Sequence, residues 1–515
     1  MRLSFDVGYE DYSDEANWLP HKQQLMTLVQ KLDKAYIAEL EDAVLLDAME
    51  QVEELMRYYA AVTDYGSLEP VMRLQEELLQ LGQFRKVQET GFTYLEMEFA
   101  RINALLYRSE KMNREAMNET DVVCEKALLC FSKLKQENSL KAEQIIYLGW
   151  ACVECLNEAI QIYDVFLNIE AVHSCRNHAV CVLDWIQPYL SVYPGILERA
   201  ADLYCTYGGN LYQCGEPIQG RDCFEKAITL LHRIGREQSD SFWMARSVFA
   251  KALYSLQELL YTGNTKLLYE CEQEAKNILE KQSHYTNAIL TAVLGMISVQ
   301  KGKMSEQKGQ IEWKIRETRS GCEQLQQATH ELESDKGIRN SFYTASIRGI
   351  AARIFAFYVG ALDEIGVCLY QKGSFSEAKE TFVSILKSLN KNKDYQLGEQ
   401  ACSMMRAECS QFLALIAVEE QNVDEAEFYG EQAYLLAVEL TVQTENVNAL
   451  AIQTVCCNLL SALSFAEKEK KKAAQYAAQG ICAAVRLRAL VPEHPALVLQ
   501  SSLERLQKKA NRRFF

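Results

Sequence analysis

Three segments between Leu362 and Ile481 align at a spacing of 48 residues. Gly366, Ala414 and Ala462 form one row, Ala378, Ala426 and Ala474 a second, and Ile385, Ala433 and Ile481 a third. A chain that repeats at a period of this length folds by stacking one supersecondary unit on the next. The clearest copy shows what the unit is. Leu362, Ile365 and Leu369 recur at helical spacing around Gly366, Lys372-Gly373-Ser374 interrupts, and Ala378, Phe382 and Ile385 mark one face of a second helix. One apolar stripe per helix, with a small residue on it, means two helices that cross closely. The seven prolines, Pro20, Pro70, Pro188, Pro194, Pro217, Pro492 and Pro495, are expected at helix ends or turns, because proline in a helix interior costs about 3 kcal/mol.

Leu362, Ile365-Gly366, Leu369, Gly373, Ala378, Phe382 and Ile385 resemble the tetratricopeptide repeat signature, in a long-helix form. Tyr204, Tyr207-Gly208, Leu211, Gly215, Gly220, Phe224 and Ala227 carry the same pattern. Looser copies hold Leu294-Gly295, Gly302 and Ile311, and Leu74, Leu78, Gly82, Val87, Gly91 and Tyr94. The resemblance implies an all-α, right-handed superhelical solenoid of antiparallel helix hairpins. It also implies that the first helix of each hairpin lines a groove, which places Asp202, Cys205, Tyr212, Gln213, Asp363, Tyr370, Gln411 and Glu419 there. The family's clamp for a C-terminal carboxylate is not matched: Asp363, Val367, Cys205 and Gly209 stand where basic and amide residues are needed.

Six regions follow from composition and punctuation. Residues 1–66 read as an N-terminal helical cap or small effector region, with an acidic start and a long helix over 23–63 bearing Leu25, Leu28, Val29 and Leu32. Irregular hairpins follow over 67–195, repeats over 196–302, a polar helical arm over 303–340, regular repeats over 341–490, and a capping helix with a basic tail over 491–515. Net charge is −16, which disfavours nucleic acid as a partner, since that needs basic charge. The last 50 residues carry 11 basic groups against 4 acidic ones. Seventeen cysteines without a secretory pattern point to a reducing, cytoplasmic setting. The uncharged runs 446–466 and 282–300 are long enough to cross a membrane, but the first coincides with a repeat helix and carries Asn446, Asn448, Gln453 and Asn458. Both are expected to be buried solenoid helices, with no membrane partner.

Catalytic and metal motifs are scarce. Cys152 and Cys155 precede His173 and His178 with zinc-ligand types, yet both pairs fall inside helices and read as packing residues, so no metal is expected. Gln400-Ala401-Cys402 echoes a cysteine-protease motif but continues as Ser403-Met404. Phosphate-loop and dinucleotide motifs do not occur, and no cofactor is implied. The expected function is a non-catalytic scaffold that holds a protein or peptide in a helical groove. The alternatives are a peptide-responsive sensor, similar in layout to bacterial peptide-pheromone receptors, with output from the N-terminal region, and a helical enzyme whose site is not visible in sequence.

Overall fold

The computed structural model describes residues 41–511, except 88, 111, 166–167, 191–193, 239–240, 280–283, 305–310, 335–343, 391–398 and 444–445, together with 22–24 and 26–27. The acidic start, much of the expected 23–63 helix with Leu25, Leu28, Val29 and Leu32, and the basic end at 512–515 lie outside the described residues. Every regular element among the described residues is a helix, and the fold is an all-α series of packed helix hairpins. Two compact units divide between Tyr207 and Gly208.

The first unit holds α1 (Asp42–Ala61), α2 (Tyr65–Phe84), α3 (Thr90–Ser109), α4 (Asn113–Gln136), α5 (Ala142–Val165) and α6 (Ile169–Ile186), and α7 (Pro194–Gln213) spans the division. The second unit continues with α8 (Pro217–Gln238), α9 (Ser241–Thr262), α10 (Lys266–Leu279), α11 (His284–Lys303), α12 (Ile311–Ser334), α13 (Thr344–Lys372) and α14 (Phe375–Leu389). It ends with α15 (Glu399–Glu419), α16 (Val423–Gln443), α17 (Val447–Ala466), α18 (Lys470–Leu490), a 3-10 turn (Pro495–Leu499) and α19 (Gln500–Asn511). Consecutive helices pack on one another from α1 to α6 and from α8 to α19, and the odd-numbered first helices also touch along a row: α1, α3 and α5 in one unit, α9 to α17 in the other.

One turn closes hairpin after hairpin. The N–H of Ser374 donates to Leu369 O at 2.9 Å and that of Gly373 to Tyr370 O at 3.0 Å. This is the paired bonding of a Schellman motif, in which the residue after the helix is left-handed. Gly215 and Gly373 both have φ +81°, and Gln421 (φ +60°) and Lys468 (φ +68°) hold the same place. The five-residue back-bond recurs from Asp64 to Tyr59, Met112 to Tyr107, Asn168 to Tyr163, Glu216 to Leu211, Asn422 to Ala417 and Glu469 to Ser464. The same residue then opens the second helix: Asp64 O accepts from Leu68, Glu216 O from Gly220, Ser374 O from Ala378, and Glu469 O from Ala473, each at 3.0 Å. Asp64, Asn168 and Asn422 add a side-chain cap.

The turn therefore fixes which residues cross. Eight residues before the shared cap stand Gly208, Gly366, Ala414 and Ser461, and four after it stand Gly220, Ala378, Ala426 and Ala473, all buried. This corrects the third copy, the last member of each row. The turns at Ser374, Asn422 and Glu469 are 48 and then 47 residues apart, and 56 separate Met112 from Asn168, so a fixed period of 48 does not hold. Because register is set at the turn, one missing residue moves the whole next hairpin. Ala462 is exposed and Ala474 only half-buried, while Ser461 Oγ donates to Ala473 O at 2.8 Å. Gly480, not Ile481, completes the row; a Cβ there would lie 2.7 Å from the Cys457 Cβ.

Three further expectations are revised. Pro70 lies inside α2, where it forgoes only the bond to Gly66, and the preceding turn is at Thr63 (φ +55°). Gly82 is a crossing residue whose Cβ would meet Phe92, and the turn falls at Lys86 (φ +58°). The polar 303–340 segment holds no free arm among its described residues. Its α12 buries Ile315, Cys322, Leu325, Ala328 and Leu332 and packs along α11 through Gly295 and Gly321. A Cβ on Gly321 would sit 2.5 Å from Gly295 O, a fixed backbone atom. Three helical segments, Ala142–Tyr163, Ala401–Glu419 and Val447–Ala466, are long and apolar enough to cross a membrane by length and composition; each packs among neighbouring helices here.

These contacts separate glycines that must be glycine from those that need not be. Gly321→Ala is expected to destabilise the chain by about 2 kcal/mol through overpacking against backbone. Gly360→Ala, in α13 with open space around it, is expected to stabilise by about 0.5–1 kcal/mol through helix propensity. Denaturant unfolding of both variants checks the pair; equal effects would refute the crossing.

Candidate functional site

The row of first helices in each unit carries charge where an apolar stripe is expected. In the first unit Glu53 and Arg57 come from α1, Tyr94, Glu98 and Arg101 from α3, and Tyr147, Cys155 and Glu158 from α5. Glu53 follows Met49 by four and precedes Met56 by three, so helical geometry turns it inward. Glu98 stands the same way between Leu95 and Ile102. The two acids are only 4% and 5% exposed. Arg101 donates to Glu98 Oε2 at 2.7 Å and to Glu158 Oε1 at 3.0 Å. Tyr94 donates to Glu53 Oε1 at 3.3 Å and lies 2.7 Å from the Tyr147 hydroxyl, while Arg57 is 3.6 Å from Glu53. Farther along, Glu154 accepts from Trp150 Nε1 and from Arg199 of α7, both at 2.7 Å, and the Arg199 guanidinium lies over the Trp150 ring.

The two buried acids are held in opposite states. Burial pushes the Glu53 carboxyl up to about 8, with Arg57 opposing and Glu98 adding to the rise. Burial also works against Glu98, but Arg101 and Arg57, with hydrogen bonds from Arg101 and Cys155, bring it below its ordinary value. Arg101 thus clamps one ionised acid, and Glu53 is a neutral acceptor near pH 7.

In the second unit the corresponding face of α13 and α15 is acidic. Glu364 is paired with Lys314 of α12 and lies 3.5 Å from Lys303 of α11. Burial would raise it, yet these two lysines hold it below the usual carboxylate range. Its neighbour Asp363 has no such clamp: burial, then the charges of Glu408 and Glu364, push it up to about 7, with Lys303 a lesser opposing influence. Glu408 on α15 is raised as well, by burial first and Glu364 second. On the same two helices Tyr370 meets Phe412 edge-on, with ring centroids 5.5 Å apart, and Phe412 stacks on Phe382 of α14 at 5.0 Å.

The expected groove residues divide. Asp363, Tyr370, Gln411 and Glu419 lie on α13 and α15, half-buried or exposed, with Glu419 adding to burial in raising the Tyr370 hydroxyl. Asp202 is half-buried and Gln213 exposed on α7. Cys205 and Tyr212 are core residues instead, 6% and 5% exposed. They fall beside Tyr204 and Leu211 on the buried stripe, and Tyr212 spends its hydroxyl on Glu258, which Arg221 also holds. The sequence reading missed Glu53, Glu98, Arg101, Glu158 and Glu408. For Glu53 and Glu98 a signal was present: an acid at the helical phase of an apolar stripe.

Cys152, Cys155, His173 and His178 are not gathered. Cys155 donates to Glu98, Cys152 is buried near Cys130, and His173 bonds with Asn177. Among the described residues no three metal-ligating side chains cluster.

No family model matches this chain, and no curated protein matches it. Similar solved structures are helical-repeat proteins. Yeast Tom70 is 12% identical over 96% of both chains, with a TM-score of 0.33. A human IFIT1 dimer with PPP-AAAA is 12% identical over 90% of this chain and 99% of the other, with a TM-score of 0.30. Cut9 with Hcn1, from an APC/C hetero-tetramer structure, is 12% identical over 97% and 95%, with a TM-score of 0.27.

The buried acids give opposite pH signatures. A carboxyl raised by folding stabilises below its unfolded pKa and loses that contribution as pH rises through the folded value. For Glu53 the window runs from 4.5 to about 8. Glu53→Gln is expected to raise stability at pH 8.5 by about 1–2 kcal/mol and to change little at pH 5. A depressed carboxyl contributes above its unfolded pKa and loses that as pH falls. Arg101→Met, which strands Glu98, is expected to cost about 3 kcal/mol at pH 8 and less near pH 4. Thermal unfolding across pH checks both; a pH-independent effect of either would contradict the assignment.

Proposed function

We propose that the chain is a non-catalytic helical-repeat scaffold that binds a protein or peptide segment along its row of first helices. The observation that carries this reading is the acidic pair Asp363 and Glu408 on adjacent helices α13 and α15. Both are raised by burial and by like charge, and neither has the lysine clamp that Glu364 has. A lysine or arginine of a partner supplies the missing counter-charge, and the Tyr370 face beside it offers a rigid aromatic surface for an anchor residue. The partner is therefore a segment with basic and apolar side chains, in keeping with the chain's net charge of −16. A reducing, cytoplasmic setting belongs to the same reading, which rests on seventeen cysteines of which none is in a disulfide.

The test is selection of helical 20-residue peptides from a random display library on the full chain, followed by titration of the selected peptides. Expected are Lys- and Arg-containing binders whose affinity falls about tenfold, or about 1.4 kcal/mol, in Asp363→Asn/Glu408→Gln, and falls with added salt. Selected peptides indifferent to the double variant would refute the site. A peptide of a few residues that compacts the chain in solution scattering would instead favour the sensor.

A further inference from the structure

None of the seventeen cysteines is in a disulfide, and thirteen of them are buried. Two pairs nonetheless meet in the first unit. Cys130 of α4 and Cys152 of α5 are near enough for the Cys130 thiol to help raise that of Cys152, and both have no solvent exposure. Cys124 and Cys175 form the other pair, with Sγ atoms 3.3 Å apart. Cys124 sits one and a half turns before Cys130 on α4, and Cys175 is on α6, so this pair joins the second helices of successive hairpins. Cys175 is 5% exposed, whereas Cys124 is only half-buried.

The surroundings favour one thiol as the reactive one. Either S–H can donate across this contact; with Cys175 as the donor, the bond draws the Cys124 thiol below its ordinary value. Burial acts against it, and so does the nearby carboxylate of Asp121. The Tyr163 hydroxyl from α5 lies between Asp121 and Cys124; its single proton serves one of them at a time. Cys175 moves the opposite way, raised first by its bond to Cys124 and then by burial. A more exposed thiol within bonding reach of a second, more deeply buried thiol is the layout of an attacking and a resolving cysteine.

We propose that Cys124 and Cys175 form a peroxide-reactive dithiol that closes into a disulfide between α4 and α6. The Cys124 thiolate, its proton released to solvent, attacks one oxygen of a hydroperoxide. The S–O bond forms, the O–O bond breaks, and the leaving hydroxide or alkoxide takes up a proton. The sulfenic acid at Cys124 is then attacked by Cys175, which gives up its proton as the S–S bond forms and the S–O bond breaks with loss of water. Two thiols are oxidised and one peroxide is reduced, and a cellular thiol reverses the bond by exchange. The sulfurs need only close from 3.3 Å to about 2.05 Å. The product ties the α3–α4 hairpin to the α5–α6 hairpin. A reversible bond of this kind suits a reducing compartment, where disulfides are transient.

The test is oxidation of the full chain with one equivalent of hydrogen peroxide at pH 7, followed by alkylation and peptide mass mapping. Expected is a linked Cys124–Cys175 peptide pair as the main product, about 2 Da lighter than the sum of its thiols and restored by dithiothreitol. In Cys175→Ser, the sulfenic acid is expected to persist at Cys124 and to be trapped by dimedone. The exposed Cys181, Cys214 and Cys482 serve as internal controls. Oxidation of those three while Cys124 and Cys175 remain alkylatable would overturn the proposal, and so would a Cys175→Ser chain that traps nothing at Cys124.

Discussion

The fold hangs on a turn in which one residue ends a helix and begins the next. In Ser374, Asn422 and Glu469 the N–H satisfies a carbonyl five residues back, and the C=O starts the following helix. Helix ends leave backbone groups without partners, and this arrangement satisfies several of them in three residues. It also leaves no slack between the helices. The distance from cap to crossing is therefore constant, and the crossing position accepts only a residue small enough for its neighbour. Where both crossing residues are glycine, as at Gly208 and Gly220, each added Cβ would lie 2.9 Å from the other's carbonyl oxygen. Where one is serine, as at Ser461, its hydroxyl turns to the Ala473 carbonyl rather than into the gap.

Once close backbones fix the hairpin faces, the row of first helices is free to carry charge. Apolar packing between helices of one hairpin supplies the stability, so the row between hairpins tolerates Glu53, Glu98 and Arg101 at burial levels unusual for such groups. The arrangement is economical with ions. Glu98 has Arg101 as a direct partner, and Arg101 reaches on to Glu158 in the next hairpin. Glu53 instead stays largely protonated and accepts from Tyr94. Charge neutrality inside the row is thus reached in two ways, by pairing and by proton uptake.

The helical class and the two-helix unit were legible because Gly366, Gly373, Ala378 and Phe382 report directly on crossing and turn. The exact register was not. Ala462 and Ala474 match the repeat as well by residue type as Ser461 and Ala473 do, and only the positive φ at Lys468 tells them apart. Glycine announces such a turn in sequence; lysine and glutamine at 468 and 421 do not. The polar look of α12 misled for a related reason. Its buried edge is narrow, Ile315, Cys322, Leu325, Ala328 and Leu332, and depends on Gly321, which composition cannot distinguish from a breaker. The burial of the expected groove residues was not legible. Cys205 and Tyr212 are seven residues apart, a step that drifts little around the axis, and both share the phase of the core stripe.

The acidic face of α13 and α15 differs from the first-unit row in what is left unmet. Asp363 and Glu408 are partly desolvated like Glu98, yet Lys314 and Lys303 are engaged chiefly by Glu364. Stability alone would favour an amide or an apolar residue at either position, because each carboxylate raises the cost of ionising the other. On the proposed reading, a partner cation removes that repulsion on arrival. The free-state strain then appears as binding free energy, and the gain is largest above pH 7, where Asp363 is ionised before the partner comes. Binding that strengthens as pH rises through this window is what separates a poised acidic face from a merely solvated one, since ordinary surface carboxylates are already ionised throughout it.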